Sequence, residues 1–152
     1  MSVLKTFITA VLILATGSIG HAAPAKGNLA VSAYITGVGW CFVSNTQNIA
    51  FGTLNPLNPV NVQASGSVGV TCLNFSSNFT VGVTQVTPSP LHLTSGSNSI
   101  LYSLELPTSA TSATGGLVVN LTIPIKADIQ GVDYKLAPAG NYTDTVTLQI
   151  TP

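Results

Sequence analysis

Apolar residues recur at every second position in short runs of this chain, and that period of two constrains the fold more than any other feature. Residues 66–73, 79–86 and 141–150 alternate in this way. Such alternation is typical of antiparallel strands with one buried face, so helices and a parallel sheet are disfavoured. Turn-forming residues interrupt the pattern about every ten residues, which predicts a sandwich or barrel of short strands.

Seven segments are predicted to form strands. They are residues 28–36, 49–53, 66–73, 79–86, 100–106, 117–125 and 141–150. Proline-rich and asparagine-rich turns at residues 55–59 and 87–90 separate some of them. The chain is therefore predicted to be an all-β protein with a single core.

The first residues have the pattern of an export signal. Lys5 supplies a positive charge, residues 7–15 form a short apolar run, and small residues near Ala22 suit a cleavage site. We predict a signal peptide over residues 1–22, and cleavage after Ala25 stays open as an alternative. No later segment has the length and apolarity of a membrane span.

The composition fits a secreted β protein. Charged residues make up 5% of the chain and hydrophobic residues 45%. The polar residues are mainly serine, threonine, asparagine and glycine, which suit turns and the solvent faces of strands. The net charge of zero gives no electrostatic basis for binding nucleic acid or an anionic membrane.

Cys41 and Cys72 are the only cysteines. An even pair in an exported chain predicts a disulfide. Closing a loop of about thirty residues would stabilise the fold by roughly 3–4 kcal/mol in the chain-entropy treatment. A metal site is not predicted, because these two cysteines and His92, the one histidine after the signal, do not complete a tetrahedral set.

No catalytic or cofactor-binding constellation is present, and an enzyme is not predicted. The chain has no Gly-x-Ser-x-Gly elbow, phosphate-binding loop or zinc motif. Asp128, Asp133 and Asp144 are isolated from one another in sequence. We expect Asp144 to bind a neighbouring turn and Tyr142 to be a corner tyrosine of a sandwich.

The N-terminal alternating segment allows two interpretations. Leu29, Val31, Ala33 and Ile35 lie on one face, and a glycine-containing spacer at residues 37–39 follows. The segment is either the first strand of its own domain or a strand exported for donation, with a flexible joint behind it. Periodicity alone does not choose between them, nor does it say whether the segment extends outward or folds back.

Several landmarks follow one another in an order that resembles a known family. They are the alternating N-terminal strand, Cys41, Phe51-Gly52, Gly-Ser-Val-Gly-Val-Thr-Cys at residues 66–72, Leu-Tyr-Ser-Leu at residues 101–104, and Gly-Asn-Tyr-Thr-Asp-Thr-Val at residues 140–146. Together they resemble the spore coat protein U domain, which is the pilin fold of archaic chaperone–usher pili. The resemblance covers essentially the whole chain after the signal.

The resemblance implies an incomplete immunoglobulin-like β-sandwich, completed by a donor strand from a neighbouring subunit or a chaperone. It implies a signal peptide at 1–22, a donor-strand extension and glycine joint at 23–39, and a pilin domain at 40–152. The residues that match the family's donor strand are Leu29, Val31, Ala33 and Ile35, and those that match its disulfide are Cys41 and Cys72. Trp40 beside that disulfide is unusual, and we interpret it as a packing residue at the sandwich edge.

The expected function is that of a structural subunit of a surface pilus that serves adhesion or biofilm formation. The implied partners are copies of the chain or related pilins, a periplasmic chaperone and an outer-membrane usher. The implied location is the cell surface, reached through the periplasm. Two alternatives stay open: a self-assembling spore-coat or matrix protein, and a monomeric adhesive or binding module.

Overall fold

The computed structural model describes residues 24–36, 40–73, 79–112 and 117–152. The predicted signal peptide and the glycine spacer at residues 37–39 lie outside these ranges. Strands account for most of the described chain, and the sheets form a sandwich that is nearly closed. The predicted all-β class is therefore confirmed.

Ten strands and one short helix follow one another in the described residues. They are β1 (Ala25–Ile35), β2 (Trp40–Gln47), β3 (Ile49–Leu54), β4 (Val62–Leu73), β5 (Phe79–Gln85), β6 (Leu91–Ser95), β7 (Asn98–Glu105), β8 (Ser109–Ser112), β9 (Val118–Ile129), α1 (Gly131–Tyr134) and β10 (Asn141–Thr151). All seven predicted strands are present. The described helix α1 has four residues, and none in these ranges has the length and apolarity that a bilayer crossing needs.

Sequence reasoning missed β2, β6 and β8. In β2 the inward side chains of Cys41 and Val43 alternate with outward Trp40 and Phe42, so the prediction that Trp40 is a packing residue is wrong. Both faces of this strand therefore carry apolar residues at one end. The period-two signal disappears in such a segment even though the backbone is extended.

Two sheets form the sandwich and share one strand. One sheet runs β2-β4-β9, and the other contains β6, β10, β1 and β3. In the second sheet β5 also pairs with β10, and β8 pairs with β5. Strand β7 pairs with β6 over its first part and with β9 over residues 103–105. By changing partner it joins the sheets along one side, as strands do at the corners of closed sandwiches.

One strand pair departs from the antiparallel prediction. Strand β1 runs parallel to β10, whereas the other described pairs are antiparallel. A parallel neighbour normally needs a long crossover. Here the rest of the domain lies between the two strands, because they are near opposite ends of the chain.

The core lies between the sheets and is built from alternating inward side chains. Strand β9 shows this most clearly, since every second residue from Val119 to Ile129 is buried. Tyr142 closes one end by donating its hydroxyl hydrogen to the carbonyl oxygen of Pro138 at 2.9 Å. This contact confirms the predicted corner tyrosine.

The predicted disulfide is present. Cys41 and Cys72 are joined with an S–S distance of 2.05 Å. They lie opposite each other in the β2–β4 ladder. The bond therefore fastens the edge strand β2 to the centre of its sheet.

The prediction for Asp144 is wrong. Its Oδ2 atom accepts a hydrogen bond of 2.7 Å from the hydroxyl of Tyr102 in β7, not from a turn. Burial of the phenol, and then the neighbouring carboxylate, raise the pKa of Tyr102 well above its ordinary value. The phenol therefore stays protonated and keeps donating to the carboxylate.

Candidate functional site

Strand β1 occupies a groove between β3 and β10 of its own chain. It pairs parallel to β10 from Lys26 opposite Asn141 to Ile35 opposite Ile150. On its other side it pairs antiparallel to β3. In the single chain the alternating segment is thus folded back into its own sandwich, which answers the question that the sequence left open.

The groove holds β1 on two sides over the first half of the strand and on one side over the second half. Pairing with β3 runs from Ala25 to Leu29 and stops there, because β3 begins at Ile49. The next inward residue, Val31, donates its backbone N–H to Oδ1 of Asn48 at 3.1 Å. Beyond that contact the described backbone ladder runs only to β10.

The four predicted donor residues all lie on the inward face, but they are not equally buried. Leu29 is completely buried and Val31 is 5% exposed. Ala33 and Ile35 are half-buried and pack against the margin of the core. Their partial exposure follows from the missing β3 ladder along the second half of the strand.

Two further inward residues, Ala25 and Gly27, were missed. Ala25 is completely buried, and Gly27 is also buried. Both continue the period of two backward from Leu29. Alanine and glycine add little to a pattern of apolar residues, so the alternation is weak at these two positions. They also lie close to the predicted cleavage site, where a strand was not expected. Extending the alternation toward the N-terminus would have found them.

The groove is especially shallow at Gly27. A Cβ atom there would lie 3.2 Å from Cδ1 of Leu93 and 3.3 Å from Cβ of Phe51. The register shifts beside it, since Gly27 pairs with Gly52 while Asn28 pairs with Ala50. Gly52 has a φ of 71°, a left-handed conformation that glycine adopts without strain. The β3 wall therefore bulges where β1 has no side chain.

Polar contacts on the solvent face fix the register of β1 against β10. The hydroxyls of Ser32 and Thr147 lie 3.0 Å apart. Nε2 of Gln149 donates to Oγ1 of Thr36 at 2.9 Å, and the hydroxyl of Tyr34 donates to Oε1 of Gln149 at 3.4 Å. A slip by one residue would break these contacts and turn the inward row outward.

We expect Gly27→Val to weaken the packing of β1 in its groove and to lower the free energy of unfolding. Even one Cβ meets Leu93 and Phe51 closely, and valine adds two methyl groups to a packed site. Overpacking of this kind costs about 1–3 kcal/mol. Denaturant unfolding of the purified chain measures the loss.

The matched control is Asn28→Val, which places the same side chain on the exposed face of the same strand. It should change the free energy of unfolding by less than about 0.5 kcal/mol. If the Gly27→Val variant and the native chain have equal free energies of unfolding, the groove is not shallow at Gly27.

The chemistry that the groove offers is apolar burial and main-chain hydrogen bonding. Within the described ranges no group of three or more His, Cys, Asp or Glu side chains is placed to hold a metal ion. His92 is exposed on β6. The arrangement is that of a strand-binding groove, in which alternate side chains fill pockets and the backbone completes the sheet.

Comparison with known families identifies the same region. The family model described as Spore Coat Protein U domain matches residues 25–149. The match begins at the first residue of β1 and extends into β10, so it includes both the groove and the strand within it. No curated protein matches the chain. The family is a structural, pilin-type family associated with secreted surface structures. With a match over nearly its whole length, the chain belongs to the Spore Coat Protein U domain family.

Proposed function

We propose that the chain is a structural subunit of a chaperone–usher surface pilus and polymerises by donating β1 to the groove of a neighbouring copy. The observation that carries this proposal is the position of β1 between β3 and β10. The covalent connection from this strand to β2 is the short segment of residues 36–39. The strand can therefore move to the groove of another copy when a second β1 refills the groove that it leaves.

Exchange between copies preserves the interactions that β1 makes. A second copy offers the same groove, lined by the same strands and filled by the same apolar side chains. Exchange of an identical element between protomers is a low-cost route to assembly, because few contacts are new. The stretch from Ala33 to Ile35 is paired on one side only. That stretch holds β1 least firmly.

A chaperone and an usher are the proposed assembly partners. With β1 withdrawn, β3 and β10 expose unpaired backbone edges around an apolar groove, which invites aggregation. A periplasmic chaperone that lends a strand would cover these groups until a subunit arrives. The Cys41–Cys72 disulfide supports passage through an oxidising compartment. Fibres on the cell surface would then serve adhesion or biofilm formation, and no enzymatic role is proposed.

Two other functions have specific support. A self-assembling spore-coat or matrix protein would use the same strand exchange without an usher, and the low charge of 5% suits self-association. A monomeric adhesive module is supported by the fact that β1 completes the sandwich of its own chain. Chaperone and usher genes adjacent to the gene for this chain would favour the pilus over both.

Donation between copies is tested by co-refolding two forms of the mature chain. One is the intact chain, and the other is an acceptor that lacks residues 23–36. We expect a stable complex in which β1 of the intact chain fills the acceptor groove, detected by native mass spectrometry. Val31→Asp in the donor should abolish the complex, because it places a charge at a site that is 5% exposed.

The control donor carries Asn28→Asp, which adds the same charge on the exposed face of β1. It should form the complex as well as the native donor does. Absence of any complex with the native donor, with the intact chain remaining monomeric at high concentration, would contradict strand donation and favour the monomeric module.

A further inference from the structure

A concavity of about 620 Å³ lies on the outer face of the sheet, where β1 meets β3 and β10. Residues of all three strands line it. Its volume is within the range of roughly 300–1,000 Å³ that is usual for small-molecule sites. The concavity faces solvent, whereas the groove that holds β1 faces the core, so strand donation makes no use of it.

Two rows of exposed side chains, each three strands wide, form the walls of this concavity. They are Thr143, Asn28 and Ala50 in one row, and Asn141, Lys26 and Thr53 in the other. Along β1 the rows are two residues apart, which is roughly 7 Å at about 3.3 Å per residue. The walls therefore leave a space about as wide as one sugar ring.

The floor between the two rows is bare backbone. A Cβ atom on Gly27 would point inward, toward Leu93 and Phe51. A Cβ atom on Gly52 would point outward and meet nothing within 4 Å. The β-bulge between these two glycines therefore opens a depression that a regular sheet face does not have.

The concavity has one positive charge and no negative charge to offset it. Among the described residues that line it, Lys26 is the only charged one. Within the described ranges the sole ion pair joins Lys126 to Glu105, so Lys26 has no carboxylate partner there. Asp144 of β10 lies on the inward face, where its Oδ2 atom accepts from Tyr102. The charge of Lys26 therefore favours an anionic ligand.

The other side chains of the walls suit a ligand with many hydroxyl groups. The amides of Asn28 and Asn141 and the hydroxyls of Thr53 and Thr143 can donate as well as accept hydrogen bonds. Each hydroxyl of a sugar does the same. The methylene stem of Lys26 and the methyl groups of the threonines add apolar surface on which the C–H face of a sugar ring can pack.

We propose that this concavity binds an acidic saccharide, with a sugar carboxylate beside the Lys26 ammonium group and the ring between the two rows. The site is present in the folded single chain, so it goes beyond strand donation. It is complete only when β1 is in place, because Lys26 and Asn28 belong to β1 and the other wall residues to β3 and β10. In a fibre built by strand donation, two copies share each site.

A trimer of galacturonic acid is the probe that tests the site, in an NMR titration of the folded chain expressed without residues 1–22. We expect saturable shifts of backbone amides in residues 26–28, 50–53 and 141–143. A galactose trimer lacks the carboxylates and a glutamate trimer lacks the sugar ring, so each should bind several-fold more weakly. Saturation with the acidic trimer should raise the Tm by a few degrees, because the ligand binds only when β1 is in place.

Four variants separate the site from general attraction of anions. Lys26→Gln should weaken binding of the acidic trimer by up to about fivefold, which is the effect of an exposed ion pair. Its control, Lys135→Gln, removes the same charge from an exposed residue outside the concavity and should leave the affinity unchanged. Ala50→Phe places a ring in the concavity and should abolish detectable binding. Thr84→Phe, at an exposed residue of β5 outside the concavity, should not.

Equal affinity for the galactose trimer or the glutamate trimer would overturn the assignment to an acidic saccharide. Shifts centred on Lys126 or Lys135, the absence of saturable shifts, or full binding by the Ala50→Phe variant would overturn the site itself. None of these outcomes bears on strand donation, which is tested by the complex between the intact chain and the acceptor. Absence of that complex, in turn, leaves the site of the single chain in place.

Discussion

A chain that begins at residue 37 is expected not to fold as a stable monomer, and a peptide of residues 24–36 is expected to restore folding. Without β1, the groove loses Leu29 and Val31, and the edges of β3 and β10 lose their partner. Burial of large apolar side chains contributes about 1.5–3 kcal/mol each. That sum, with the unpaired backbone, is comparable to the roughly 5–15 kcal/mol by which whole domains are stable.

Circular dichroism and thermal unfolding of the truncated chain, with and without peptide, measure this effect. The control peptide carries Leu29→Asp, which places a carboxylate where the native side chain is completely buried. It should give no rescue. If the truncated chain without peptide unfolds cooperatively at the same temperature as the chain that contains β1, the sandwich is complete without β1.

Replacing both cysteines is expected to lower the free energy of unfolding by about 3–4 kcal/mol, the chain-entropy value for a loop of this size. The double variant Cys41→Ala with Cys72→Ala removes the one covalent bond between β2 and β4. Strand β2 is an edge strand, and most of its side chains are exposed. Little apolar burial therefore remains to hold it.

Hydrogen exchange distinguishes this local effect from general loss of stability. In the double variant, amides of β2 should exchange before those of β9, because β9 lies between two partners and carries a buried row. The control variant Trp40→Ala changes an exposed residue of β2 and should leave the free energy of unfolding nearly unchanged. A loss of under 1 kcal/mol in the cysteine variant would contradict the prediction.

The sequence was sufficient to predict the strands whose two faces differ in polarity. The alternation in residues 66–73 and 141–150 predicted β4 and β10 correctly, because one face of each strand is buried and the other is more exposed to solvent. It failed for β2, where exposed Trp40 and Phe42 remove the contrast between faces. An exposed apolar side chain and a buried one look alike in sequence.

The groove was predictable in part. The inward row from Leu29 to Ile35 follows directly from period two, and the disulfide follows from the cysteine count and the predicted export signal. The degree to which each inward side chain is buried does not follow from the sequence, because it depends on where β3 begins relative to β1. The hydrogen bond between Tyr102 and Asp144 could not be predicted from the sequence either, since the two residues are 42 positions apart along the chain.

The position of β10 after the other described strands has a consequence for the order of folding. This strand pairs with β1, β5 and β6, so one sheet is organised around the last of the described strands to be synthesised. Its pairing with β1 joins residues 115 apart, from Lys26 to Asn141. Contacts of such long range form slowly. That sheet therefore cannot be completed until β10 has been synthesised, and until then β1, β5 and β6 lack the neighbour that they share.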